Sequence, residues 1–434
     1  MKCNNDAVPS LADNKRLDKL GEKIHKLERQ LSVLHAQVST VKQRINGYAC
    51  SISTLPSEIL SMIFLHYLQG HDHPDYPYIP LRGDGSPTTL ASVCHRWRSV
   101  ANTTPRLWSA IRLFDPCPKL LPLEDVKTVT DFATTSPNRP IGPETAELQL
   151  KIAEKWLEKS GALPLCIRLG DNLSKYHDDF ADVRLRALRL VVRYRKRWQC
   201  VYLCLALRPE LTGSAKRRKQ LVIDDCLPLL RQFTVKFGGY PAFLAGLKAP
   251  SLERSVIGRC QFSPLPSPPF LANLTHLELL SYRLRPATWA LRYAHRLKRC
   301  WISLHLNNDS DNEEEGHADD FREPICLGEL EAFIITIPGG HKCERISDFL
   351  RLLFLPRLKR LCIDELLLYP RPIATLLNLK QSAALRQLEE LCVSGPRLKD
   401  SLNGLDYAAA LDPIPCVLRS VDIDGLVKEW GFAS

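Results

Sequence analysis

The hexapeptide LTHLEL, Leu274 to Leu279, places leucine at its first, fourth and sixth positions and reads as a short strand. The same pattern returns as WQCVYL, LRQFTV, LERSVI, LKRCWI, LEAFII, LKRLCI, LEELCV and LRSVDI. Their first residues are Trp198, Leu230, Leu252, Leu297, Leu330, Leu358, Leu388 and Leu418. The intervals of 22 to 33 residues bracket the leucine-rich-repeat period and tolerate loop insertions on one face. LERSVI fits least, because Ser255 stands where an apolar residue belongs. Between strands, SDFLRLLFLP and PIATLLNLKQSAAL read as helices. A strand-plus-helix unit stacked about nine times predicts a curved solenoid over 151–434, with a parallel sheet on its concave wall. Such a surface suits a macromolecule better than a small substrate. The expected contact residues point outward beside the strand leucines: Thr234, Glu278, Trp301, Ile334, Cys362, Cys392 and Asp422.

Upstream, KWLEKSGALPLCIRL (Lys155–Leu169) reads as helix, glycine turn and strand. The stretch 113–150 mixes proline, threonine and charge without stable periodicity and is expected to be a linker with one short helix.

Earlier still, SISTLPSEILSMIFLHYL spans Ser51 to Leu68. Proline is tolerated only where a helix begins, so Pro56 sets the start of a helix running to Leu68. Ile59, Leu60, Ile63, Phe64 and Tyr67 form one face, widened by Leu68, while Met62 and Leu65 are apolar on the other side. A helix this apolar nearly all round needs neighbours on more than one face. TTLASVCHRWRSVA predicts a second helix, with Leu90, Val93, Cys94, Trp97, Val100 and Ala101 on one face. RLWSAIRLF supplies Leu107, Trp108 and Ile111 to a short third element. Three small helices bury too little surface to be robust alone, so a docking partner is expected.

These residues resemble a known family. LP-x-E-I-L-x-x-I-F, then V-C-x-x-W-x-x-V-A and T-P-R-L-W, look like an F-box over 52–112, of the form found in F-box-like proteins of mushroom-forming fungi. The resemblance implies docking on the Skp-type adaptor of a Skp/cullin/F-box ubiquitin ligase. It implies that Leu55, Pro56, Ile59, Leu60, Ile63 and Phe64 face the adaptor or the helices beneath, and that Val93, Cys94, Trp97, Leu107 and Trp108 complete the unit. It also implies that the repeat region recruits an unknown protein substrate for ubiquitination. One departure is QGHDHPDYPYIPLRGDGSP between the first two helices, a longer link than the family's usual one. His71, Asp72, His73 and Asp75 within it lack a spaced second pair, so no metal site is expected.

The first fifty residues carry a heptad seam. Leu17, Ile24, Leu31, Val38 and Ile45 occupy a, and Leu20, Leu27, Leu34, Val41 and Tyr48 occupy d. A coiled coil over 16–48 is predicted, with a parallel homodimer as the favoured arrangement and residues 1–15 disordered. The flanking Lys23, Glu28, Gln30, His35, Gln37, Lys42 and Arg44 offer few attractive pairs. A long helix folding back on its own chain is the competing reading.

The fold expected is therefore a multidomain mixture of α+β and α/β: coiled-coil helix, small three-helix F-box, and irregular leucine-rich-repeat solenoid. With 434 residues, 45% of them hydrophobic, a sizeable core is affordable. The net charge of +11 permits anionic partners without specifying one. The 15 cysteines form no CxxC motif and suit small buried thiols in the cytoplasm or nucleus. No apolar leader and no membrane span is evident, and no phosphate-binding loop, HExxH, G-x-S-x-G or kinase signature occurs. A non-catalytic receptor subunit without cofactor is expected. The basic stretches RLRALRLVVRYRKRW and Lys216–Lys219 leave one alternative, a dimeric scaffold or nucleic-acid-binding protein with a degenerate F-box, although nucleic acid is not the expected partner. The acidic stretch Asn307–Asp320 reads as an inserted loop.

Overall fold

The structure is a computed structural model that describes residues 11–49, 51–69, 79–81, 83, 85–114, 142–170, 180–205, 226–237, 247–258, 268–304, 323–337, 346–368, 387–394 and 423–432. The chain divides into two compact units, 1–63 and 64–434. In the first, helix α1 (Leu11–Ala49) runs for 39 residues, starting inside the stretch expected to be disordered. Every described seam residue from Leu17 to Ile45 is exposed, from 49% at Val38 to 65% at Leu17. A 3-10 turn (Ser51–Thr54) follows, and helix α2 (Ser57–Gln69) then carries the chain across the boundary.

The second unit opens with α3 (Pro87–Val93), α4 (His95–Asn102) and a 3-10 turn, Pro105–Trp108. After it come β1 (Ala110–Leu113), α5 (Pro143–Lys159), β2 (Leu165–Leu169), α6 (Phe180–Arg193), β3 (Trp198–Leu205), β4 (Gln232–Phe237) and β5 (Arg254–Gly258). Next are α7 (Pro268–Leu271), β6 (His276–Tyr282), α8 (Leu284–Tyr293), β7 (Arg299–Leu304), β8 (Ile325–Cys326), β9 (Ala332–Thr336) and α9 (Ile346–Leu352). The chain closes with β10 (Leu353–Phe354), β11 (Arg360–Asp364), β12 (Glu390–Ser394) and α10 (Ile423–Glu429).

Among the described residues these strands build one ten-stranded sheet in the order β1-β2-β3-β4-β5-β6-β7-β9-β11-β12, and β8 pairs β10 separately. Every pairing is parallel, which requires a crossover between neighbours. The ladder joins Cys200, Gln232, Arg254, His276, Arg299, Ala332, Arg360 and Glu390 side by side. Two residues before each lies Trp198 or one of the leucines 230, 252, 274, 297, 330, 358 and 388, all buried. The phase of the sequence pattern is thus the register of the sheet.

The entry into each strand explains that phase. The N–H groups of Leu230, Leu252, Leu274, Leu297, Leu330 and Leu358 donate to the carbonyls of Leu227, Ala249, Leu271, Ala294, Leu327 and Leu355, each three residues earlier. All six carbonyl residues are buried and apolar. Pro228, Pro250 and Pro356 stand at the second turn position, where a fixed φ suits the turn. The next residue then donates across to the neighbouring strand, as Glu253 to Arg231 and Thr275 to Glu253.

Alternation divides the sheet into two faces. Phe233, Leu277, Cys300, Phe333, Leu361 and Leu391 line one, where helices pack: Phe233 meets Phe270 of α7 edge to face with centroids 6.1 Å apart. Ser255 shares this face and is buried, with no hydrogen-bond partner for its hydroxyl among the described residues, so the weakest sequence match occupies a true core position. Tertiary packing overrode its polarity.

Several expectations need correction. The second helix breaks at Cys94, whose backbone is extended (φ −156°, ψ 171°) and whose Sγ accepts the Trp97 N–H at 3.4 Å. Ile111 belongs to strand β1 and not to a helix, so the third element feeds directly into the sheet. Helix α5 begins at Pro143, in the stretch expected to hold one short helix, and continues past residue 150 to Lys159. SDFLRLLFLP is helical only to Leu352 and then enters β10. Ile423, expected to end a ninth strand, starts α10, while Leu418 and Asp422 lie outside the described residues. PIATLLNLKQSAAL, Lys216–Lys219 and Asn307–Asp320 also lie outside them.

Candidate adaptor-docking site

Helix α2 resolves its nearly all-round apolar character into two stripes. Leu60, Phe64 and Leu68, spaced by four, are buried at 0%, 0% and 3% exposure. Ile59, Met62, Ile63 and Tyr67 lie on the other side at 43%, 55%, 41% and 39%. The face expected to hold Ile59, Leu60, Ile63 and Phe64 together is therefore split, and Met62 joins the exposed half. Four large apolar groups at i, i+3, i+4 and i+8 form a continuous exposed ridge.

Within the second unit, Phe64 of this stripe packs on α4. Phe64 and Trp97 stack at a tilt of 57° with centroids 4.9 Å apart. The break at Cys94 makes this possible, because α4 starts afresh with Trp97 in its first turn. Val93 and Cys94 are exposed at the corner and do not contribute to the core. The Arg98 Nε donates to the Ala91 carbonyl at 3.0 Å and clamps α4 to α3. Ser86 caps α3, its Oγ accepting the Thr88 N–H at 3.2 Å. The Tyr67 hydroxyl accepts the Gly85 N–H at 3.2 Å, so the end of the exposed ridge is tied to this cap.

Leu107 and Trp108 are fully inside. The Trp108 indole donates to the Ala101 carbonyl at 2.8 Å and meets Trp156 of α5 edge to face, with centroids 5.2 Å apart. Lys159 lies over the Trp108 ring at 4.2 Å, and burial followed by Lys155 lowers its pKa. These groups brace the unit. Of the expected docking residues, Pro56, Ile59, Ile63, Val93 and Cys94 are exposed, Leu55 and Trp97 are half-buried, and Leu60, Phe64, Leu107 and Trp108 are buried. Sequence periodicity held the signal for Met62 and Tyr67, since both share the stripe of Ile59 and Ile63. His71, Asp72, His73 and Asp75 lie outside the described residues, and among the described residues no cluster of metal-ligating side chains occurs. Nor is any helix among them long and apolar enough to cross a membrane.

The second candidate surface is the sheet face opposite the packed helices. Thr234, Glu278, Trp301, Ile334, Cys362 and Cys392 do fall on it as one lateral row. Ile334, Cys362 and Cys392, however, are fully buried. Residues 423–432 lie across them: Leu426, Val427, Trp430 and Phe432 complete one apolar cluster with Ala332, Ile334, Cys362 and Cys392, and Trp301 packs at its edge. Each of those four side chains gains at most about 1.5–3 kcal/mol by leaving water. A seven-residue helix has little stability of its own, so α10 exists through this docking. Thr234 and Glu278 are buried as well, at 2% and 3% exposure.

Polar contacts at the docked segment are less complete than the apolar ones. Arg299 Nη1 donates to the Gly431 carbonyl at 3.0 Å, and the Arg360 guanidinium lies over the Trp430 ring at 5.3 Å. Trp430 Nε1 is buried with no hydrogen-bond partner among the described residues, which costs about 1–3 kcal/mol. Burial, then Arg360, then Arg254 lower the pKa of Arg299, against a smaller opposite effect of Glu331.

The basic stretch ending α6 is partly consumed internally. Arg197 donates to the Leu163 carbonyl at 2.8 Å and to Ser160 Oγ at 2.7 Å, which fixes the turn before β2. A nucleic-acid surface there would have to do without it.

Residues 52–113 match the family model described as F-box-like. No curated protein and no solved structure matches the chain.

Proposed function

We propose, from the F-box-like domain at residues 52–113, that this protein is a non-catalytic substrate receptor of a Skp/cullin/F-box-type ubiquitin ligase. The observation that carries the reading is the exposed ridge of Ile59, Met62, Ile63 and Tyr67 on a helix whose other stripe is already buried. An exposed apolar ridge of this kind marks an interaction surface, and a Skp-type adaptor is the partner that F-box domains bind. Ile59, Ile63 and Met62 then supply adaptor contacts, while Leu60 and Phe64 form the buried stripe of the same helix.

The sheet region is read as an irregular leucine-rich-repeat solenoid that carries the protein substrate. Strand order that follows the chain, one repeated entry turn and a ladder in step from Cys200 to Glu390 support that reading. The receptor contributes position and not bond chemistry: tethering raises the effective concentration of target beside the conjugating enzyme. The exposed seam of α1 supports a parallel homodimer. In a parallel pair Lys23 at g faces Glu28 at e of the second copy, an attractive contact. A cytoplasmic or nuclear location goes with this role.

The test is capture of a purified Skp-type adaptor by the full chain. Ile59→Ala with Ile63→Ala is expected to weaken capture at least about tenfold, as removal of two interface anchors does. Equal capture by the variant and the parent rejects the assignment.

A further inference from the structure

We propose that residues 423–432 are a built-in occupant of a peptide groove on strands β7, β9, β11 and β12. The segment that takes their place on a partner is a short amphipathic turn of helix followed by an aromatic–acidic–aromatic triplet. This inference rests on the receptor reading above and names the chemistry its sheet face recognises.

Four observations support it. The covered residues Ala332, Ile334, Cys362 and Cys392 form an apolar floor on the face opposite the helix-packed core, so the groove does not depend on its occupant for the core of the sheet. The occupant is a helix of only seven residues, followed by Trp430 and Phe432 as anchors. Its fit is incomplete, with the Trp430 indole N–H unsatisfied among the described residues.

The fourth observation concerns position 431. Gly431 has φ +72°, and a Cβ built there would run onto the tip of Arg299. A side chain at that point of any occupant is therefore aimed at a guanidinium, with Arg360 close by under the indole. Glycine offers this cation a carbonyl and no side-chain charge of its own, with Glu331 acting on it from the sheet. The Arg299 tip, the far end of a flexible side chain, would swing aside to admit a Cβ and could then pair with an aspartate carboxylate; aspartate also tolerates left-handed backbone better than most residues. The intrachain segment is thus an adequate occupant that a better-matched one displaces.

The test uses the full chain and its own thiols. Cys362 and Cys392 lie on the groove floor and Cys300 on the opposite, helix-packed face, and all three are buried. Alkylation in native buffer is followed at each site by mass spectrometry. Opening of the segment predicts that Cys362 and Cys392 react at least tenfold faster than Cys300, with little dependence on low urea. Reaction of all three at rates that rise together with urea shows global unfolding only and overturns the proposal. Because burial also suppresses the Cys300 thiolate, amide exchange supplies an independent measure. Exchange at 426–432 at least a hundredfold faster than in β9 and β11 supports the proposal, and equal protection overturns it.

Two synthetic peptides then act as probes, residues 421–434 as they stand and the same peptide with Gly431→Asp. The aspartate peptide is expected to slow labelling of Cys362 and Cys392 at least fivefold more than its parent, and Arg299→Gln in the protein is expected to erase that difference. Equal protection by both peptides, or none at millimolar concentration, overturns the assigned chemistry. Adaptor capture is measured on the same protein and reads α2, so a failed groove and a failed receptor assignment are told apart.

Discussion

Phe64 and Ile63 are adjacent in sequence and opposite in circumstance: the Phe64 ring is buried against Trp97, while Ile63 stands 41% exposed. A helix that turns 100° per residue places neighbours on different faces, and here one face is packed while the other is left exposed.

Phe64→Ala is expected to destabilise the second unit by about 3–5 kcal/mol, as large-to-small changes at buried aromatics do. Ile63→Ala is expected to cost less than about 1 kcal/mol and to act on adaptor capture. Urea unfolding followed by tryptophan fluorescence checks both, and a larger stability loss at Ile63 than at Phe64 would reverse the assignment of faces.

The seam of α1 predicts its own variants. Leu27→Lys with Leu31→Lys puts charge into the middle of an exposed apolar stripe and is expected to reduce a dimer to a monomer. Light scattering on the full chain reads the mass directly. If parent and variant have the same mass, the seam is not a dimer contact.

Leu252→Ala removes a fully buried side chain at the entry to β5 and is expected to cost about 2–5 kcal/mol. Glu253→Ala, one residue later and exposed, is expected to cost no more than about 0.5 kcal/mol. The same alternation is expected at Leu358 and Lys359, measured as denaturation midpoints.

Asp364 predicts a pH dependence. Burial raises its carboxyl pKa above the usual range, against the opposing pull of the Leu366 and Ile337 N–H groups at 3.0 and 3.4 Å. The folded state therefore holds this proton more tightly than the unfolded state does. Its contribution favours folding as pH falls through the raised value and declines as pH rises. Asp364→Asn is expected to flatten that part of the profile, seen as urea midpoints compared from neutral to mildly acidic pH. An unchanged difference between parent and variant across that range would exclude the effect.

Much of this fold is legible in the sequence. The recurring leucines named the strand starts because each entry turn needs a buried apolar residue at a fixed place, and the ladder then follows chain order. Pro56 marked the start of α2, and the heptad of α1 was plain from its spacing. A second apolar residue three positions before each leucine, from Leu227 to Leu355, was also readable. Alanine and leucine share that role, so the position carries no single-letter repeat.

Local sequence by itself determined where most of the strands enter the sheet, that Leu11–Ala49 carries a heptad spacing, and that an F-box-like segment precedes the sheet, since periodicity and turn chemistry act over a few residues. Only the tertiary structure decided which apolar residues remain available. Cys94 stands in a helical pattern yet its thiol caps Trp97, and Ile334, Cys362 and Cys392 stand at outward positions of their strands yet lie beneath a segment from far along the chain. Burial depends on contacts between residues distant in sequence, and no local pattern encodes them.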